Sequence, residues 1–129
     1  MEPSQLTQIA ADARDAAYAP YSKFKVGAAL LTDNGEVFTG CNIENASFGL
    51  TICAERTALF AAVAAGVRTF SGIAVSSSHA VCPCGACRQV LNEFNPTLDV
   101  YLGDETGQMV TKTSLDRLLP EAFGPDNLR

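Results

Sequence analysis

The stretch HAVCPCGACRQVLNEF, residues 79–94, places three cysteines within six positions and then runs on into a segment that Asn95-Pro96 closes. Pro83 biases Cys82 toward extended backbone, so the spacing predicts a helix over 84–94 that begins at a cysteine. Working outward, LDVYL (98–102) and GQMVTK (107–112) predict two strands flanking a turn at 103–107. On the other side, SGIAVSSS (71–78) predicts a short strand, and CAERTALFAAVAAG (53–66) predicts a buried, Ala- and Leu-rich helix stopped by Gly66. Further upstream, KVGAALLTDNGEVFTGCN (25–42) reads as two strands around Asp33-Asn34-Gly35, residue types that hairpin turns favour. SQLTQIAADARDAA (4–17) carries an apolar stripe at Leu6, Ile9, Ala10, Ala13 and Ala17, which predicts a first helix. Ser114 is placed to cap a last short helix, LDRLL, ended by Pro120. Helices alternating with strands imply an α/β fold, a sheet covered by helices.

Composition narrows the function. A chain of 129 residues is expected to form one domain spanning 1–129, large enough to bury a core without disulfide staples. Its 47% hydrophobic and 18% charged content is ordinary for a globular protein, and no apolar run approaches the roughly 18 residues of a membrane span. The opening MEPSQLTQIA lacks the basic and apolar regions of a secretory signal, so a cytoplasmic protein is expected. Five cysteines cannot all pair, and in a cytosolic chain they point to metal or catalytic use. Nine basic against fourteen acidic residues give a net charge of −5, which argues against a nucleic-acid surface and favours a small or uncharged substrate.

The cysteines carry the chemistry. TICAER and PCGAC each put a cysteine at a predicted helix start, where N–H groups and the helix dipole favour thiolate, the form that binds zinc. Cys84 and Cys87 share a face of the first turn, and Cys53 can supply a third ligand from the other helix. Zinc held by three protein groups keeps a fourth position for water, whose pKa can fall to about 7. Glu55, two residues after Cys53, is the candidate base: a carboxylate beside the metal can move a proton from that water to a substrate nitrogen. C-x-E followed about thirty residues later by P-C-x-x-C is the cysteine version of a zinc-deaminase signature. Arg56, three positions from Cys53, can donate to its sulfur.

With these residues in place, the chain resembles the small, three-cysteine, homotetrameric cytidine deaminases, through PYSKFKVGAAL, GCNIENASF, CAERTALF, PCGACRQVL and LLPEAFGP. The resemblance implies a three-layer α/β/α sandwich around a mixed five-stranded sheet. It implies one Zn2+ per chain on Cys53, Cys84 and Cys87, with Glu55 as proton shuttle. Phe24 matches a residue packing on the nucleoside, and Asn42 with Glu44 matches the pair that hydrogen-bonds the ribose 3′-hydroxyl. The backbone around Ala54 matches the reader of the pyrimidine carbonyl, Cys82 is expected to meet the substrate amine through its main-chain carbonyl, and Phe123 matches an aromatic lent to a neighbouring subunit's site. The implied reaction is hydrolysis of cytidine or 2′-deoxycytidine to uridine or 2′-deoxyuridine and ammonia, a pyrimidine-salvage step. Zinc hydroxide attacks C4 after Glu55 protonates N3, and Glu55 then protonates the leaving amine. The chain departs from the family pattern at Cys82, where Ser or Thr is usual, and at Phe48, where Tyr is common.

Plainer readings compete with these. On periodicity alone Phe24 is a core anchor, Asn42 and Glu44 are turn residues, Arg88 and Gln89 are a solvated helix face, and Phe123 covers the core edge. Cys41 reads as a small buried hydrophobe and His79 as a loop residue. The competing class is a non-catalytic structural zinc module, in which Cys82 or His79 fills the fourth position and no water binds. Within the enzyme class, blasticidin-S-type deaminases share the zinc motif, and deaminases of nucleotides or nucleic acids share the chemistry.

Overall fold

A computed structural model describes all residues, 1–129. The strands are β1 (Gly27–Thr32), β2 (Val37–Cys41), β3 (Phe70–Ser76), β4 (Asp99–Gly103) and β5 (Met109–Ser114). The α-helices are α1 (Pro3–Ala13), α2 (Ala54–Ala64), α3 (Gly85–Asn92) and α4 (Leu115–Leu118). The five strands form one sheet in the order β2-β1-β3-β4-β5. Only β3 and β4 run parallel; the other three pairings are antiparallel. A parallel pair needs a crossover, and the β3–α3–β4 unit supplies it, so α3 starts at the C-terminal edge of the sheet's central strand.

Both faces of the sheet are covered. Successive side chains along a strand point to opposite faces, so in β1 the adjacent Ala28 and Ala29 belong to different layers. Ala29 and Ala74 pack with Leu6 and Ala10 of α1 in the smaller cluster. Ala28, Leu30, Ile73, Val75, Val100 and Leu102 pack with Ala58, Leu59 and Ala62 of α2 and Leu91 of α3 in the larger one. Burial on two faces makes β1 and β3 near-continuous apolar runs. This is the three-layer α/β/α arrangement with a mixed sheet. The small residues set its spacing: a Cβ on Gly40 of β2 would lie 2.4 Å from both Ala54 O and Ala58 N, so α2 rests directly on the β2 backbone.

Local differences from the sequence reading have physical reasons. α1 ends at Ala13 and tightens into a 3-10 turn, Arg14–Ala16, instead of continuing to Ala17. The chain leaves the helix there because Tyr18 bridges to Ile43 and its N–H donates to Asn42 O at 3.0 Å. Ser114 occupies the N-cap position of α4, but its side chain makes no capping hydrogen bond. No helix is long and apolar enough to cross a membrane.

Candidate active site

Two helix N-termini converge beside the sheet. Cys53 is the N-cap of α2 and Cys84 the N-cap of α3, both in extended backbone, and Cys87 sits in the first turn of α3. The Cys53 and Cys84 sulfurs are 3.7 Å apart, those of Cys84 and Cys87 are 3.5 Å apart, and all three lie within 4.8 Å of one another. Zinc–sulfur bonds of about 2.3 Å in tetrahedral geometry put neighbouring sulfurs about 3.8 Å apart. The spacing and the soft donor set therefore fit zinc, and the fourth corner is left without a protein ligand. Cys82 and His79 do not join the cluster.

The three sulfurs are not equivalent. Cys53 is held down to about 5, first by the neighbouring Cys87 thiol and then by Arg56 and Cys84, which act against the burial that raises it. Cys87, wholly buried, is pushed the other way by the same Cys53 partnership and by burial. Arg56 Nη2 donates to Cys53 Sγ at 3.5 Å, as its spacing predicts, while its Nε is buried without a partner.

Glu55, 4% exposed, is pushed up to about 7, chiefly by burial, with the Cys53 charge adding to the rise. A carboxyl group that changes state near neutrality suits a proton carrier. It lines a cavity of about 260 Å³ together with Phe24, Asn42, Glu44, Cys53, Cys82 and Cys84. The cavity adjoins a second one of about 420 Å³, lined by Tyr21, Ser22, Glu44, Phe48 and Thr51, with Ser22, Glu44 and Thr51 common to both.

Two polar residues of the cavity hold its wall in place. Asn42 Oδ1 accepts from Val26 N at 2.9 Å and its Nδ2 donates to Phe24 O at 2.8 Å. Glu44 Oε1 accepts from Tyr21 N at 2.9 Å and Ser22 N at 3.2 Å, and Oε2 accepts from the Ser22 hydroxyl. These bonds keep Glu44 below the usual carboxylate range, the Ser22 hydroxyl having the largest effect. Phe24 is therefore a half-buried wall residue and not a core anchor.

Ala54 is wholly buried between Cys53 and Glu55, and it does not line this cavity; nor does Phe123. Phe123 is 59% exposed, yet its carbonyl accepts from Gln89 Nε2 at 2.8 Å and Asn92 Nδ2 at 3.3 Å. Arg88 donates to Pro83 O at 2.7 Å and Leu118 O at 2.8 Å. The reading of a solvated face is corrected for Arg88, which is half-buried, and kept for Gln89, which is exposed; both bind the C-terminal segment to the helix that carries Cys87. Cys41 is only partly buried. His79 lies in a loop, but its ring stacks on Phe24, with centroids 6.3 Å apart and planes 19° apart. Ser22 and Asn92 escaped the sequence reading, which makes His79 a loop residue or a fourth zinc ligand but not the stacking partner of Phe24. Ser22 stands in PYSKF, two positions before Phe24, and His79 and Asn92 stand in the stretch 79–94.

Comparison with known proteins agrees with this geometry. The family described as cytidine and deoxycytidylate deaminase zinc-binding region matches residues 1–103. The chain is similar to a cytidine deaminase of Sporosarcina psychrophila (48% identical; 99% of this chain and 96% of the relative). It is also similar to one of Halalkalibacterium halodurans (49% identical; 99% and 98%). Its fold is similar to the crystal structure of cytidine deaminase from Burkholderia pseudomallei, at a TM-score of 0.90 and 55% identity, covering 95% of this chain and all of that one. Three converging cysteine sulfurs spaced for zinc, an adjacent buried carboxyl group and similarity along nearly the whole length lead to one conclusion: the chain belongs to the cytidine and deoxycytidylate deaminase family.

Proposed function

We propose that this chain is a cytidine deaminase, a single catalytic domain over residues 1–129 that hydrolyses cytidine and 2′-deoxycytidine to the uridine nucleosides and ammonia. The observation that carries the reading is a buried carboxyl group, Glu55, opening with Cys53 and Cys84 onto a cavity whose other walls include Phe24, Asn42 and Glu44. Cys53, Cys84 and Cys87 would hold one zinc per chain. When bound, zinc supplies acidified water as the hydrolytic nucleophile.

The chain's own residues do the rest. Phe24 offers a ring face to the base, and Asn42 and Glu44 meet the ribose 3′-hydroxyl. The backbone around Ala54 reads the pyrimidine carbonyl, and the Cys82 carbonyl receives the amine. Glu55 takes the proton of the attacking water, delivers it to N3 as the C4–O bond forms, and carries a second proton to the amine as the C4–N bond breaks. The balance is one water consumed for one ammonia released. Arg56 steadies the Cys53 thiolate.

Assembly is part of the reading. Phe48, Leu50 and Phe123 are 75%, 72% and 59% exposed, large apolar side chains left open to solvent, and this supports a homotetramer in which Phe123 enters a neighbour's site. All five cysteines are unpaired, which suits a reducing, cytoplasmic setting. The test is incubation of the purified chain with cytidine, 2′-deoxycytidine and blasticidin S, following ammonia release and bound metal. The two nucleosides should be consumed and blasticidin S left intact. A zinc-loaded chain inert toward both nucleosides would defeat the proposal.

A further inference from the structure

Both hydrogen bonds of the Ser22 side chain have a fixed direction. Its Oγ accepts from Phe24 N at 3.0 Å, which occupies a lone pair and leaves the hydroxyl proton for Glu44 Oε2. The bond from Phe24 N exists because Lys23, between them, takes a left-handed backbone with φ 60°, a conformation that a non-glycine residue adopts at a cost. The loop thus spends backbone strain to fold the Phe24 N–H back onto Ser22.

The consequence falls on Glu44. Its Oε1 is held by two main-chain donors, Tyr21 N and Ser22 N, whereas the Ser22 hydroxyl is the protein donor on Oε2. The terminal torsion of a glutamate is broad, so without that donor the carboxylate can rock about Oε1. Ser22 and Glu44 also both line the shared border of the two cavities, where a nucleoside sugar would lie beyond the base. We propose that Ser22 is a positioning residue for substrate binding, which sets the Glu44 carboxylate for the sugar hydroxyl. This inference rests on the deaminase reading above, because it assigns Glu44 a hydroxyl partner.

The experiment compares Ser22→Ala, Ser22→Thr and the parent, all zinc-loaded, on cytidine and on 2′,3′-dideoxycytidine, which lacks the hydroxyl. Loss of one hydrogen bond to a charged group predicts a KM for cytidine raised about tenfold in Ser22→Ala. The same variant should keep kcat within about twofold, the signature of lost binding that ground and transition states share. On 2′,3′-dideoxycytidine its KM should move by less than about twofold, and Ser22→Thr should restore the parent KM for cytidine. Ser22 is exposed, so the fold should tolerate the change; if Ser22→Ala melts early, Ser22→Cys, of similar size and a weak donor, carries the same comparison. An unchanged KM for cytidine, or an equal loss on both substrates, overturns the assignment while leaving the deaminase reading intact. A parent chain that releases no ammonia from cytidine overturns both.

Discussion

Replacing Gly40 with alanine tests whether α2 is held at the position that the metal cluster needs. The new Cβ would lie 2.4 Å from Ala54 O and Ala58 N, and both are backbone atoms that no rotamer change can move. Ordinary contact begins near 3.4 Å, so α2 must retreat from β2 by about 1 Å. Overpacking of this kind costs about 1–3 kcal/mol, and the upper end applies because backbone opposes the added atom. For a chain of this length that is a fall of roughly 10 °C in melting temperature. The same movement carries Cys53 and Glu55, since they begin the helix. Metal sites tolerate about 0.2 Å in ligand distance, so a shift several times larger should weaken zinc by at least about tenfold. Gly27→Ala is the control. Its Cβ would meet Ala10 O at 2.0 Å and displace α1, on the opposite face of the sheet, so it should destabilise comparably without changing zinc affinity. Thermal unfolding and competition with a chromophoric zinc chelator read the two effects separately. Gly40→Ala with parental zinc affinity, or Gly27→Ala with zinc weakened as much, would refute the argument.

Other substitutions probe the remaining parts. Cys82→Ser should keep one zinc per chain and substantial turnover, whereas Cys84→Ser or Cys87→Ser should lose both, as metal analysis and ammonia release will record. Asn42→Leu strands Val26 N and Phe24 O at about 1–3 kcal/mol each, so stability should fall by about 3 kcal/mol in urea and the KM for cytidine should rise with it. Truncation after Pro120 removes Phe123 and the acceptor of Gln89 and Asn92; substrate binding should weaken with the zinc retained, and a fully active monomer by light scattering would refute the shared site.

Much of this structure was legible in the sequence because the signals were local. Asp33-Asn34-Gly35 marked the hairpin, Gly66 the end of α2 and Asn95-Pro96 the end of α3, since each is a backbone preference of the residues themselves. The two helix-starting cysteine motifs likewise placed Cys53, Cys84 and Cys87, with Glu55 and Arg56 at fixed offsets. Contacts between distant segments were less legible. Periodicity has no term for Tyr18 pairing with Ile43, so the end of α1 was set too late. Arg88 and Gln89 look like surface residues until the C-terminal segment folds back to offer Leu118 O and Phe123 O. Ser22 bonds to Glu44, twenty-two positions away, and His79 stacks on Phe24, and neither relation leaves a mark in spacing.

The central claim is that Glu55 moves the protons of a hydrolytic deamination beside zinc held by three cysteines. The most direct measurement is the rate of ammonia release from cytidine by the parent and by Glu55→Gln at equal, verified zinc content. The account predicts that the variant keeps its fold and one zinc per chain and loses at least about a hundredfold in turnover, the lower range for a general acid–base group. A zinc-loaded Glu55→Gln variant with near-parental turnover would contradict it.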